Sequence, residues 1–319
     1  MKMRRVRLVW PIALIIMTSV LLTQSSCDGK NPPRFALLMS HLTNDYTTSL
    51  AAAAQDQAMS RGVELVVLDA QQSVRRQAGL IETLVQEGID GIIVEPAGTT
   101  GLEAAMAMCK AEGIPLVTVA QRVAQADLVD CHIGSDSVET GRLQMMICLD
   151  RLGYAGRIVI LHGPFGSDAQ AARYEGYQSV LSAWPALQVV AEQEAGWDER
   201  TARAIVHRWL EAGKQFDAVV AQNDDMAMGA IQALKEHGLL EQVQVFGIDA
   251  SPMGLALVEA GEMAATLSQQ PDLIGREAVL ACLKIHQGLP QEPLISINQQ
   301  IITHASNDLA DQQIVGSGE

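Results

Sequence analysis

Aromatic residues are scarce in this chain: Trp, Tyr and Phe number four each among 319 residues. An aromatic that stands in a turn is therefore informative, because so few are available to the core. Basic charge is also short, with 22 Lys and Arg against 37 Asp and Glu and a formal charge of −15. Such a deficit argues against a nucleic-acid partner, which calls for basic patches. Acidic surfaces are common, so it names no ligand. The five cysteines lie far apart with no CxxC pair, which excludes the usual zinc and dithiol motifs. P-loop, GxGxxG, HExxH and GxSxG signatures are all missing. The seven histidines (His41, His132, His162, His207, His237, His286 and His304) are scattered without metal-ligand spacing. Nothing here calls for an enzyme, a cofactor or a metal. The Gly163-Pro164-Phe165-Gly166-Ser167 turn suits an anion cradle, but an ordinary strand-to-helix turn is its default reading.

The N-terminus has a targeting pattern. Lys2, Arg4, Arg5 and Arg7 precede an apolar run from Leu8 to Leu22. That run is short for a membrane span and reads as a signal peptide. Ser25-Ser26-Cys27 resembles the bacterial lipobox, with Gln24 where that motif usually has Leu. It implies lipidation of Cys27 and a place in the periplasm or on the outer face of the cytoplasmic membrane. Ordinary cleavage near Ser26 and an uncleaved anchor are the alternatives. Loss of residues 1–26 leaves 22 − 4 = 18 basic residues against 37 acidic ones, a formal charge of −19. Export permits disulfides. Cys109 and Cys131 are candidates to pair, while buried free thiols are the default for these two and for Cys148 and Cys282. Residues 28–33 read as a tether, and residues 307–319 as a polar, flexible tail.

Between tether and tail, apolar strand patterns alternate with amphipathic helix patterns. Strands are expected at Arg34 to Met39, Val63 to Leu68, Gly91 to Val94 and Pro115 to Val119. Helices are expected at Asp45 to Arg61, Ser73 to Gln86 and Leu102 to Glu112. After His132-Ile133-Gly134-Ser135-Asp136 the pattern restarts with a helix from Val138 to Leu152. Strands follow at Arg157 to Leu161, Leu187 to Ala191, Phe216 to Gln222, Val243 to Ile248 and Ala264 to Ser268, and a last helix at Ile274 to His286. Near-continuous apolar strands between helices imply parallel sheets covered on both faces. Two successive sets imply two similar α/β lobes.

Polar or aromatic residues recur just past the strands: Asn44 and Tyr46, Gln121 and Arg122, Arg173, Trp197, Asn223, Asp249 and Gln269. Carboxyl ends of strands are where open α/β sheets bind ligands. Asp224 reads as the N-cap of the helix after Asn223, with Met226, Ala230 and Leu234 on one face. Each residue has an ordinary explanation by itself. Tyr46 suits a core, Asp249 suits a cap near Pro252, and Arg173 suits a surface ion pair of little worth. Trp197, in the Gly196-Trp197-Asp198 turn, gains little unless it covers something. Their shared position is the argument. Amides, carboxylates and guanidinium supply donors and acceptors for hydroxyls, and flat rings suit the C–H face of a sugar. The mixture fits a neutral polyhydroxylated ligand better than a charged one.

From Phe35 to about Thr303 these residues resemble the type I periplasmic sugar-binding proteins of the ribose-binding group, the solute receptors of ABC importers. ALLMSHLTNDYTTSL is similar to the family's first strand and Asn-Pro-Phe-Phe turn, with Asn44 as the ligand-binding Asn and Tyr46 for the first Phe. AQAARYEGY resembles the RxxGF motif and implies Arg173. Trp197 falls at the stacking aromatic. AQNDDMAMGA is close to AQNDEMALGA and implies Asn223. Gly247-Ile248-Asp249 resembles GFD, and ATLSQQPDLIG the segment whose hinge Gln becomes Gln269. Asp45 and Thr47 replace the Pro and second Phe. The family's Asp-Arg pair after the fourth strand is missing from Val119-Ala120-Gln121-Arg122-Val123, leaving Gln121 and Arg122 in its place.

The resemblance implies periplasmic binding protein type I architecture: two Rossmann-like lobes with parallel sheets joined by three hinge strands. Lobe 1 would be 33–137 plus 270–297, and lobe 2 138–269 plus 298–306. A monosaccharide or similar polyol would bind between the lobes and close them for delivery to an ABC permease. The alternative of the same fold is a sensing subunit that presents a sugar or autoinducer to a chemoreceptor or histidine kinase. A repressor would need a DNA-binding segment where the export signal stands.

Overall fold

Alternation within the first strand organises the first lobe. In β1 (Arg34–Met39), Phe35, Leu37 and Met39 enter one apolar cluster while Ala36 and Leu38 enter another. A strand of period two that is apolar on both sides must be covered on both faces. In the computed structural model, which describes residues 31–304, α1 (Asp45–Ser60) and α9 (Pro271–His286) cover one face. The other is covered by α2 (Val74–Gln86) and α3 (Glu103–Glu112). The sheet adds β2 (Glu64–Asp69), β3 (Gly91–Val94), β4 (Leu116–Val119), β5 (Cys131–Gly134) and β11 (Leu294–Ser296), in the order β11-β5-β4-β3-β1-β2 and parallel throughout.

The second lobe repeats the plan. Its sheet runs β12-β10-β9-β8-β6-β7, from β6 (Gly156–His162), β7 (Leu187–Glu194), β8 (Ala218–Ala221), β9 (Gln244–Phe246), β10 (Ala265–Ser268) and β12 (Gln300–Thr303). Ile158 and Ile160 pack on α4 (Ser137–Arg151) and α5 (Asp168–Ala183). Val159 and Leu161 pack toward α6 (Glu199–Glu211), α7 (Asp224–Glu236) and α8 (Pro252–Glu259). Each such fully buried aliphatic side chain stabilises the fold by about 1.5–3 kcal/mol. One strand departs from the all-parallel expectation: β12 pairs antiparallel with β10. It enters as a short return from the other lobe, so it needs no helical crossover.

The chain passes between the sheets three times, at 135–136, 269–270 and 297–299. These segments are bonded to one another. Ser135 Oγ donates to the Gln269 carbonyl at 3.4 Å, Gln270 Nε2 to the Asn298 carbonyl at 2.7 Å and Gln299 Nε2 to the Asp136 carbonyl at 2.7 Å.

The α4–α5 contact positions Arg173. A Cβ on Gly141 would lie 2.1 Å from the Arg173 carbonyl oxygen, and one on Gly176 would lie 2.1 Å from that of Val138. Only glycine allows so close an approach of two helix backbones. The four cysteines of the described residues, Cys109, Cys131, Cys148 and Cys282, are free and buried. Cys131 lies on β5. Among the described residues no helix is long and apolar enough to cross a membrane. The signal segment, Cys27, residues 28–30 of the tether and the tail lie outside the described residues.

Candidate functional site

The carboxyl ends of the two sheets face each other across one small cavity. The lobes also touch directly beside it. Thr99 N–H donates to the Gly166 carbonyl at 3.2 Å, and Arg122 N–H to Asp168 Oδ2 at 3.0 Å. Eight of the nine residues singled out from the sequence line the cavity: Asn44, Tyr46, Gln121, Arg173, Trp197, Asn223, Asp249 and Gln269. Arg122 does not. Ala120 takes a left-handed φ of 59°, and after it Gln121 is buried while Arg122 is exposed.

Local structure explains each placement. Asn44 is the N-cap of α1, its Oδ1 accepting from Thr47 N at 3.0 Å and Thr47 Oγ1 at 2.9 Å. One turn of α1 then carries Tyr46 over the cavity. Burial first, and then the Glu95 and Asp249 carboxylates, push the Tyr46 phenol up, so it stays protonated. Arg173, on α5, is 4% exposed. Its Nη1 donates to the Gln222 carbonyl and its guanidinium lies 5.4 Å from the centre of the Trp197 ring. Trp197 sits at φ 63° between β7 and α6. A Cβ on Gly163 would lie 2.0 Å from the Trp197 ring, so a side chain at 163 would push the indole out of its seat. Gln222 holds that turn, its Oε1 accepting from Gly163 N at 3.0 Å and its Nε2 donating to the Gln170 carbonyl at 3.1 Å.

The opening of α7 differs from the sequence expectation. Asn223, not Asp224, is the N-cap, its Oδ1 accepting from Met226 N at 3.0 Å. Asp224 is the first helical residue and is buried. It accepts from Thr266 Oγ1 at 2.7 Å and Ser251 N at 2.8 Å, and burial pushes its carboxyl up to about 7. The motif's first acid thus ties the start of α7 to β10 and to the start of α8, while the Asn lines the cavity. Ser251, not Asp249, caps α8. Asp249 stands at φ 122° and lines both the cavity and a neighbouring crevice. Burial holds its carboxyl well above the usual range. Arg173 pulls it down, and Asp224, Asp225 and Glu95 push it up.

Five lining residues were not singled out from the sequence: His41, Thr47, Glu95, Ala120 and Ala169. Two of them carry chemistry, and the strand-end rule applied to every strand would have found both. Glu95 directly follows β3, and His41 stands two residues past β1. Ser40 N–H and Oγ–H donate to Glu95 Oε2 at 3.0 and 2.7 Å, and Ser40 Oγ meets His41 Nδ1 at 2.9 Å. Gln77 pins this segment, donating to the Glu95 carbonyl at 2.8 Å and accepting from Ala97 N at 2.9 Å. Burial pushes the Glu95 carboxyl up, opposed by His41 and by the hydrogen bonds from Ser40 and Gln121.

Polar atoms without protein partners converge here. Among the described residues, eight buried side-chain N or O atoms lack one. Six belong to the cavity: His41 Nε2, Tyr46 Oη, Gln121 Oε1, Arg173 Nε, Asn223 Nδ2 and Gln269 Nε2. Buried polar groups are nearly always bonded, and an unpaired one costs about 1–3 kcal/mol. Six in one small cavity, three donors among them, make a surface that a hydroxyl-rich guest satisfies.

Comparison with known proteins agrees with this geometry. The chain is 30% identical over 272 residues to the ribose import binding protein RbsB of Bacillus subtilis, covering 85% of this chain and 88% of that one. It is 38% identical over 213 residues to a xylitol-binding protein of Mycolicibacterium smegmatis, covering 66% and 60%. Its structure superposes, with a TM-score of 0.83 and 29% identity, on an ABC transporter solute-binding protein of Bacillus halodurans with bound myo-inositol, covering 88% and 98%. A D-allose-bound solute-binding protein of Actinobacillus succinogenes gives 0.82 and 27%, covering 86% and 99%. The family is one of solute-binding proteins, not enzymes. The periplasmic binding protein domain matches residues 35–290, most of the chain, and the chain belongs to that family, among its type I sugar-binding members.

Proposed function

We propose that this protein captures a monosaccharide or similar polyol between its two lobes and, closed on it, delivers it to an ABC permease. The observation that carries this reading is the set of six unpartnered polar atoms in a cavity lined from both lobes. His41, Asn44, Tyr46, Glu95 and Gln121 stand on one side, Arg173, Trp197, Asn223 and Asp249 on the other, and Gln269 at a crossing. A ligand that touches both walls binds the closed form better than an open one. That difference in affinity is what shifts the population toward closure. The moving bodies are residues 33–137 with 270–297 and residues 138–269 with 298–306, turning about the three crossings.

The test is a thermal-shift panel of pentoses, hexoses, alditols, inositols and furanosyl sugars. Ligand at a hundred times Kd stabilises by about 2.7 kcal/mol, so the best polyol should raise Tm by roughly 5 °C or more. A folded protein that no polyol stabilises overturns the reading.

Export and anchoring complete it. The mature protein is held by lipid on Cys27 at the outer face of the membrane, where the permease is within reach of a short tether. A single acyl chain holds a protein only weakly, whereas two hold it stably. The Cys27→Ala variant should move from the membrane fraction to the soluble extracytoplasmic fraction. Equal partition of variant and wild type overturns lipidation without touching the polyol reading.

A further inference from the structure

The unpartnered atoms are not spread evenly over the cavity. The lobe 2 wall offers donors, Arg173 Nε and Asn223 Nδ2, and Gln269 Nε2 adds another at the crossing. The lobe 1 wall offers acceptors at His41, Glu95 and Gln121, beside the Tyr46 hydroxyl, which both donates and accepts. Ser40 has one hydroxyl proton, and it points to Glu95 Oε2 at 2.7 Å. An ionised carboxylate only accepts, so Ser40 Oγ must in turn accept from His41 Nδ1, 2.9 Å away. The ring proton is thereby placed on Nδ1. His41 is 5% exposed, and in the neutral ring its Nε2 presents a bare lone pair to the cavity. The Gln121 amide follows the same rule. Its side chain helps to hold the Glu95 carboxyl down, and its Oε1 is buried and unpartnered. Glu95 itself is 3% exposed and lines the same wall.

Charge points the same way. Of the two carboxyl groups lining the cavity, Asp249 in lobe 2 is held by burial well above the usual range, whereas Glu95 on the lobe 1 wall accepts two hydrogen bonds from Ser40 that favour its ionised form. The single arginine of the lining, Arg173, stands on lobe 2. That arginine is committed to lobe 2, where it donates to the Gln222 carbonyl and lies over Trp197. Among the described residues, no Lys and no Arg besides Arg173 lines the cavity.

A hydroxyl carries one proton, so a neutral sugar needs a separate hydroxyl for each of His41, Glu95 and Gln121. An ammonium has three donors and no acceptor. It satisfies three such atoms at once, and its hydrogen bonds to a carboxylate are of the strong, charge-assisted kind. Resting on the polyol reading above, we infer that the preferred ligand is an amino-polyol, an amino sugar or aminocyclitol. Its ammonium faces His41, Glu95 and Gln121, while its hydroxyls face Arg173, Asn223 and Gln269. Burying a charge is worthwhile only where it is paired and hydrogen-bonded, and this wall supplies both conditions. The chain's formal charge of −15 also favours the approach of a cation.

The experiment compares matched pairs by titration calorimetry on the whole mature protein at neutral pH. The pairs are glucosamine with glucose, galactosamine with galactose, an inosamine with myo-inositol, and a 1-amino-1-deoxyalditol with its alditol. The expected result is that at least one amine binds ten times or more tighter than its hydroxyl parent. Parents that bind while every amine binds equally or more weakly overturn this inference and leave the polyol reading standing. Failure of parents and amines alike overturns both. Glu95→Gln keeps the shape of the side chain and removes its charge, so the amine-to-parent ratio should fall to within about threefold. A ratio that persists in a folded Glu95→Gln protein overturns the role of Glu95. If that variant does not fold, the wild-type ratio still decides the ligand class.

Discussion

Replacing Arg173 with methionine will weaken polyol binding by about a hundredfold to a thousandfold, read as Kd by calorimetry well below Tm. The side chain is buried, places an unpartnered Nε in the cavity, lies over Trp197 and stands near Asp249. Its removal takes a charged donor from the ligand and leaves the Asp249 carboxylate without its cationic neighbour. Truncating one member of such a buried, hydrogen-bonded set costs about 2–5 kcal/mol. Stability will respond less clearly, because the Gln222 carbonyl loses its donor while a buried charge disappears. For that reason binding must be measured on folded protein. Arg173→Lys should fail to rescue, since an ammonium cannot bond Gln222, present a second donor and stack flat on an indole together. Less than a tenfold loss in Arg173→Met would remove Arg173 from the site.

Trp197→Ala will weaken binding by about tenfold to a hundredfold. Stacking and the contact with the guanidinium are each worth about 0.5–2 kcal/mol. Here the turn has to be separated from the wall. Trp197 stands at φ 63°, where an L-residue is strained and glycine is not. Trp197→Gly should therefore be about 1 kcal/mol more stable than Trp197→Ala in urea unfolding, while both bind equally poorly. Binding retained in both would show that the indole only fills the Gly163 turn. Binding lost in one alone would show that the backbone of the turn, not the ring, forms the wall.

Asn223 shows why a site residue read from sequence needs its structure before it is mutated. Its Oδ1 caps α7 and its Nδ2 is the unpartnered donor. An alanine there would remove a cap worth about 1 kcal/mol together with the ligand contact. Serine keeps a capping oxygen and deletes only the donor, so it separates the two roles. Periodicity located the helix after Asn223 but could not choose between two adjacent capping residues. Thr266 and Ser251, which draw Asp224 inward, come from distant strands and turns.

Much of the architecture was legible because burial acts through local patterns. β1 and β3 appear at their expected bounds, and α1, α2, α3 and α4 within a residue or so of theirs. Their apolar periods already state which faces are covered. Three strands were not legible as strands. β5 is four residues long and includes His132, while β11 and β12 have three and four residues with half-exposed or exposed side chains. Such segments are strands only because a neighbour is there to bond them.

Read alone, the chain determined two α/β lobes, the strand ends at which polar and aromatic residues stand, and eight of the thirteen residues that line the cavity. These follow from patterns that repeat within twenty residues or so. Tertiary structure alone decided that the two sheet edges face each other. It also sent Gln121 inward and Arg122 outward after the left-handed Ala120, and it set His41 and Glu95 on the opposing wall, joined through Ser40. The reason is physical: where a side chain points across a cleft, and which partner takes its proton, depend on atoms far apart in the chain. No local pattern records them.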